Sequence, residues 1–235
     1  MLVIPVIDLM GGTVVHARHG ERDTYAPLAT SLCPSSDPLE VVDALLAQAP
    51  FGTLYVADLD AIRHTGDHLR VLRRIRERYP RLELWVDAGF GTAATLAPWL
   101  ALDVTPVIGS ESLTSMDALA EVLACCPQAI LSLDSRGDAR LGPPAIFERP
   151  AYWPATIIVM TLERVGAGAG PALETLGTVL AQAASRKVVA AGGVRCVEDL
   201  RQLATLGIHA VLLASALHDG RLSVRELAGY LQSVS

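Results

Sequence analysis

Short apolar runs rich in β-branched residues alternate with helix-like segments about eight times along the 235 residues, and this rhythm restricts the fold more than any other feature. Strands are expected near residues 3–8, 53–59, 82–87, 104–109, 129–134, 156–162, 187–191 and 210–214. Helices fall between them. Asp37-Pro38-Leu39-Glu40 reads as a capped helix start with proline in the first turn, Ser115 as a cap for the segment opening at Met116, and Ser223-Val224-Arg225-Glu226 as a capping box. Asp67 to Tyr79 sets Leu69, Leu72 and Ile75 on one side and arginines on the other, the pattern of a surface helix. The fifth crossover, Ser135 to Pro154, contains four prolines and is expected to hold little helix.

Eight βα units at this length fit an α/β TIM (βα)8 barrel better than an open doubly wound sheet, with residues 1–235 as a single domain. An internal echo points to a twofold half-barrel repeat. Leu59 corresponds to Leu162, Gly89 to Gly193 and Ser110 to Ser215, at offsets of 103, 104 and 105 residues, while Asp8 and Asp134 end strands one and five at an offset of 126.

A net charge of −6 provides no basic face for nucleic acid. No run of roughly 18 apolar residues suggests a membrane span, and Met1-Leu2-Val3-Ile4-Pro5-Val6-Ile7-Asp8 lacks the basic start of a signal peptide, so a cytoplasmic protein is expected. Cys33, Cys125, Cys126 and Cys196 show no metal-ligand spacing and read as ordinary thiols. Lys187 is the single lysine. It lies at the start of a strand, away from the end where a Schiff base would form.

In such barrels the active site lies at the C-terminal ends of the strands. Residues there fall into two groups. Asp8, Asp58, Asp60, Asp87, Glu111, Asp134 and Glu163 end or follow strands one to six, whereas Gly192, Gly193, Ala214 and Ser215 end strands seven and eight, where small residues let an anion reach backbone N–H groups. Asp8 and Asp134 are the leading catalytic pair, able to divide general base and general acid roles, with turn capping as the alternative. Asp58 is a substrate-binding candidate if its side of the strand faces inward; pairing with an arginine is the alternative. His64, His16, His19 and His218 are candidate proton shuttles or simply solvated. The loop Arg18-His19-Gly20-Glu21-Arg22-Asp23-Thr24-Tyr25 is a candidate lid that brings Arg18 or Arg22 to an anion, or a surface loop.

Val3-Ile4-Pro5-Val6-Ile7-Asp8-Leu9, followed by Gly12-Thr13-Val14-Val15, resembles the opening of the histidine-biosynthesis barrels, ProFAR isomerase and the cyclase subunit of imidazole glycerol phosphate synthase. Val107-Ile108-Gly109-Ser110, Leu131-Ser132-Leu133-Asp134, Ala191-Gly192-Gly193-Val194 and Gly220-Arg221-Leu222 are similar to later signatures of these barrels, so the likeness covers nearly the whole chain. The resemblance implies a twofold-repeated barrel with two opposed phosphate sites and an acid/base aspartate on strand one. Carried over, Asp8 is the base, Asp134 a site carboxylate, and Gly192, Gly193, Ala214 and Ser215 the second phosphate site.

Two departures set this chain apart. The family's Asp-Gly pair after strand six, whose aspartate is the second acid/base, is replaced by Thr161-Leu162-Glu163-Arg164-Val165-Gly166, leaving Glu163 as a substitute that stands earlier. The family's consecutive glycines at strand three become Asp87-Ala88-Gly89, and a carboxylate about 4 Å from a phosphate costs roughly 1–4 kcal/mol. The first phosphate site is therefore expected to hold an amine, hydroxyls or a metal instead, with Gly109 and Ser110 keeping the older shape beside it. This pattern looks like a divergent isomerase-like branch, which the resemblance links to one-carbon metabolism near methanopterin- or methanofuran-type cofactors.

The expected function is an isomerase-like or cyclase/lyase-like acid/base enzyme acting on a small phosphorylated metabolite with one phosphate and a polar or cationic end. Genuine ProFAR isomerase activity and a noncatalytic ligand-binding barrel or partner subunit are the alternatives. No cofactor is expected, although clustered carboxylates leave a divalent-metal variant open. The residues do not determine the oligomeric state.

Overall fold

In the computed structural model, which describes residues 1–233, ten strands form one sheet. They are β1 (Leu2–Met10), β2 (Thr13–Val15), β3 (Thr53–Asp58), β4 (Glu83–Asp87), β5 (Thr105–Gly109), β6 (Ile130–Arg136), β7 (Ala139–Arg140), β8 (Thr156–Thr161), β9 (Lys187–Ala191) and β10 (Ala210–Leu213). All but β2 and β7 run parallel, and β10 returns to pair with β1 from Leu2↔Ala210 to Pro5↔Leu213, closing an eight-stranded barrel. β2 and β7 fold back on β1 and β6 as antiparallel ribs. The eight parallel strands are those expected from the sequence, each end within two residues.

Alternation along each strand divides the core into two layers. Leu54, Val56, Leu84, Val86, Leu131 and Leu133 pack outward against the helices. Ile4, Val6, Tyr55, Trp85, Ile130 and Ile158 fill the barrel interior.

The helices begin where local chemistry directs. Asp37 accepts hydrogen bonds from the N–H groups of Leu39 (2.9 Å) and Glu40 (3.2 Å) at the head of Pro38–Leu46, and Ser115 accepts from Ala118 N–H (3.1 Å) at the head of Met116–Cys125. Ser223 and Glu226 form both halves of a capping box before Val224–Ser233. Leu69–Arg78 buries Leu72 and Ile75 and exposes Arg70, Arg73, Arg74 and Arg78, while half-buried Arg76 donates to the Leu82 carbonyl (2.7 Å). The fifth crossover holds only Pro144–Glu148 and a 3-10 turn, Pro150–Tyr152, as its prolines require.

Positions matched by the internal echo share local conformation. Leu59 and Leu162 each open a short turn of helix after a strand, as do Ser110 and Ser215, and Gly89 and Gly193 both take positive φ (+71° and +88°). Among the described residues, no helix is long and apolar enough to cross a membrane.

Candidate active site

The inward columns of three strands end in carboxylates. Ile4 and Val6 lead to Asp8, Trp85 leads to Asp87, and Ile130 and Ser132 lead to Asp134. In register, Ala57 lies between Asp8 and Asp87, and its small side chain leaves the space open. All three acids line one cavity of about 940 Å³, including its open mouth. Water cannot solvate them fully there, and burial pushes each carboxyl from 3.8 up to about 7. Arg22 opposes the rise at Asp8, the Gly89 N–H opposes it at Asp87, and Ser132 opposes it at Asp134.

Asp134 is firmly braced. Ser132 Oγ donates to its Oδ1 (2.6 Å), Glu111 N–H donates to its Oδ2 (3.3 Å), and Ser110 Oγ accepts from its backbone N–H (2.9 Å) while donating to the Leu141 carbonyl (2.6 Å). Gly109 belongs to the same arrangement, because a Cβ there would lie 3.1 Å from Asp134 Oδ2 and 3.5 Å from Asp87 Oδ2. Tyr55, on the inner face of β3, has its hydroxyl pushed well up by burial and then by the fields of Asp87, Asp134 and Asp8.

The opposite part of the mouth is lined by small residues whose backbones pack tightly on neighbouring loops. Gly192 and Gly193 have φ of +98° and +88°; a Cβ on the first would lie 2.9 Å from the Thr161 carbonyl, and one on the second would collide with the Gly170 carbonyl. Only glycine fits at either position. Ala214 and Ser215 follow on β10, where the first N–H groups of the turn Ser215–His218 have no intrahelical acceptor. Arg164 and Arg221 border the same region, and His16 Nε2 lies 3.3 Å from Ser215 Oγ. Sequence reasoning assigned no role to Arg164, Arg221 or Tyr55; the parity of Tyr55 with Ala57 was the available signal for the last.

The loop after β2 crosses the mouth. His19 N–H donates to the Val165 carbonyl (2.8 Å), Arg136 donates to the Gly20 carbonyl (3.0 Å), and Arg22 pairs with Glu111. A Cβ on Gly166 would collide with the Ala17 carbonyl, so glycine permits this close crossing. Arg22 and Tyr25 line the cavity, and burial with the nearby Asp8 charge pushes the Tyr25 hydroxyl up to about 12. Arg18 is exposed and lies outside the lining.

Other expected site residues stand elsewhere. Asp58 has the outward parity of Leu54 and Val56 and is fully buried, so it does not face the cavity. It accepts from the His68 N–H (2.6 Å), the His68 ring (2.8 Å) and the Ala61 N–H (3.1 Å), which makes histidine, not arginine, its partner. β3 ends at Asp58, so Asp60 belongs to the helical turn Leu59–Ile62 and accepts from Gly11 N–H (2.9 Å). Gly12 N–H donates to His68 Nε2 (2.9 Å), and the two acids thus secure the tight β1–β2 turn that follows Asp8. Gly109 and Ser110 lie behind Asp87 and Asp134 rather than on the cavity wall. Glu163 sits in the 3-10 turn Leu162–Arg164 and faces a separate cleft outside the barrel; Val165, not an acid, reaches the cavity from this loop. His64 is exposed, and His218 is buried with its Nε2 3.1 Å from the Val6 carbonyl. Among the described residues, no three His, Cys, Asp or Glu side chains are grouped to hold a metal ion.

A closed (βα)8 barrel with inward-facing acids on one side of its mouth and small residues on the other defines a family architecture rather than a single activity. The chain belongs to the histidine biosynthesis protein family, which it matches over residues 2–223. It is 30% identical over 231 residues to an uncharacterized protein of Methanocaldococcus jannaschii, covering 97% of each chain. It is 32% identical to a Synechococcus ProFAR isomerase, covering 96% of this chain and 91% of that one, and 29% identical to a phosphoribosyl isomerase A of Streptomyces coelicolor, covering 95% of each.

Proposed function

We propose that this chain is an isomerase-like enzyme that performs carboxylate acid/base chemistry on a small substrate carrying one phosphate and a polar or cationic end. The observation that carries this reading is the set of three inward carboxyls, each raised to about 7, lining one cavity together with the small residues Gly192, Gly193, Ala214 and Ser215. Near neutral pH such a cluster shares protons, so one member is ionised while another holds a proton. Asp8 abstracts a proton from substrate. Asp134, braced by Ser132 and the Glu111 N–H, donates one. Asp87, beside Glu111, accepts the polar or cationic end. Gly192, Gly193, Ala214 and Ser215 receive the phosphate through backbone N–H groups, with Arg164 and Arg221 adding charge. The loop carrying Arg22 excludes water.

Genuine ProFAR isomerase activity is a second reading, favoured by the names of the relatives. Asp87 in place of a phosphate-binding glycine, and Val165 in the loop where those enzymes place their second acid/base, argue against it. Incubating purified chain with ProFAR and with a panel of phosphosugars bearing amines or hydroxyls, followed by product analysis, separates the readings. Asp8→Asn is expected to reduce turnover at least about 100-fold while leaving inorganic phosphate binding, measured by calorimetry, nearly intact. Unchanged turnover in this variant would refute the assignment, and binding without turnover in the unaltered chain would identify a noncatalytic barrel.

A further inference from the structure

A second cleft, about 1250 Å³ including its open mouth, lies outside the barrel between β6, β8 and the helix Leu173–Ala183. Its origin is the proline-rich fifth crossover, which covers this face with a single five-residue helix. Leu133, Val159, Phe147, Trp153 and Val179 give it an apolar lining. Two enclosed polar atoms in it have no protein partner among the described residues: Thr161 Oγ1, on a residue only 4% exposed, and Glu163 Oε2.

Enclosed polar atoms without partners are costly, and their side chains are normally satisfied by protein, water or ligand. An ionised carboxylate only accepts, and a threonine hydroxyl both accepts and donates. The complementary group is a donor with positive charge. The other charged side chains around the cleft are two carboxylates and two guanidiniums, and both guanidiniums already have contacts. Glu174 and Asp138 are exposed at its edge, Arg140 stacks over the Phe147 ring at 5.4 Å, and Arg164 is engaged with the Gly170 carbonyl at 2.8 Å.

We infer that this outer cleft binds a small organic cation, its ammonium group held by Glu163 and Thr161 and its apolar body lying against Phe147 and Trp153. The site does not depend on the chemistry assigned to the inner cavity. The two are nonetheless neighbours through one turn of chain. Leu162 and Arg164 line the inner cavity, Glu163 lines the outer cleft, and Arg164 borders both. A cation held at Glu163 therefore restrains the same turn that carries part of the inner wall.

Calorimetry on the full chain with benzylamine, benzyl alcohol and benzoate tests the inference. Benzylamine is expected to bind saturably at one outer site, at least about tenfold more tightly than the neutral or anionic probe. Glu163→Gln is expected to weaken it by about tenfold or more, and Thr161→Val by a smaller factor. Asp87→Asn distinguishes this cleft from the acids of the inner cavity and is expected to leave the affinity within about twofold, because Asp87 lines only the inner site. Absence of benzylamine binding, equal binding of benzyl alcohol or benzoate, or unchanged affinity in Glu163→Gln overturns the proposal. Should either cleft variant fail to fold, a benzylamine-soaked crystal of the unaltered chain decides: density at Glu163 supports the site, and density only among Asp8, Asp87 and Asp134 refutes it.

Discussion

Replacing Asp87 by asparagine is expected to stabilise the fold progressively as pH rises, because the native carboxyl is held in an environment that resists its charge. Burial pushes its pKa from 3.8 to about 7. Between these values the folded chain retains a proton that the unfolded chain releases, so Asp87 lowers stability as pH increases across this window, and its effect levels off above it. At about 1.4 kcal/mol per pKa unit, the full displacement corresponds to at most roughly 4 kcal/mol. About 1.6 kcal/mol of this is already present at pH 5, so roughly 2–3 kcal/mol develops between pH 5 and pH 8. Asparagine keeps nearly the same volume and retains the oxygen that accepts the Gly89 N–H at 3.1 Å. Urea unfolding of both proteins at pH 5, 6, 7 and 8 should show the variant gaining this amount, equivalent to about 5–10 °C in Tm. A stability difference that is flat with pH, or that grows toward acid, would refute the account of Asp87 as a buried carboxyl kept for function.

The pH profile of kcat/KM is expected to be bell-shaped near pH 7, since Asp8 and Asp134 are both raised to about 7; a profile flat from pH 5.5 to 8.5 contradicts the proton-sharing cluster. Asp58→Ala should cost about 2–4 kcal/mol in urea unfolding, because it strands two donors of His68 and the Ala61 N–H. Gly193→Ala should weaken inorganic phosphate binding at least about tenfold by calorimetry, because the new methyl meets the Gly170 carbonyl in a backbone conformation that L residues avoid.

The arrangement of the acids gives the inner cavity its asymmetry. Asp87 and Asp134 approach each other around Gly109, while Glu111 turns to Arg22 on the covering loop. One arginine thus neutralises part of an acidic wall and holds the cover against it. Around Gly192 and Gly193 there is no comparable carboxylate on the inner strands, because β8, β9 and β10 end their inward columns with Met160, Ala191 and Leu212. The division between an acidic side and a side without carboxylates therefore follows from which residue type ends each inward column.

The strand-and-helix alternation, the proline-rich crossover, the caps at Asp37, Ser115 and Ser223, and the strand-end positions of Asp8, Asp87 and Asp134 were all legible in the chain, because they rest on short-range periodicity and local hydrogen bonding. Parity also carried the information that Asp58 shares a face with Leu54 and Val56, but which face turns inward depends on barrel closure. Only the packed structure revealed that His68, ten residues away, satisfies Asp58 and helps secure the turn after Asp8. It alone placed Glu163 outside the barrel, since one short 3-10 turn after β8 rotates Leu162 inward and Glu163 outward, with Arg164 bordering both sides. Local sequence thus determined the barrel and the acids at its mouth, whereas contacts between distant segments decided which polar groups face the cavity, which brace it, and which are left to an outer cleft.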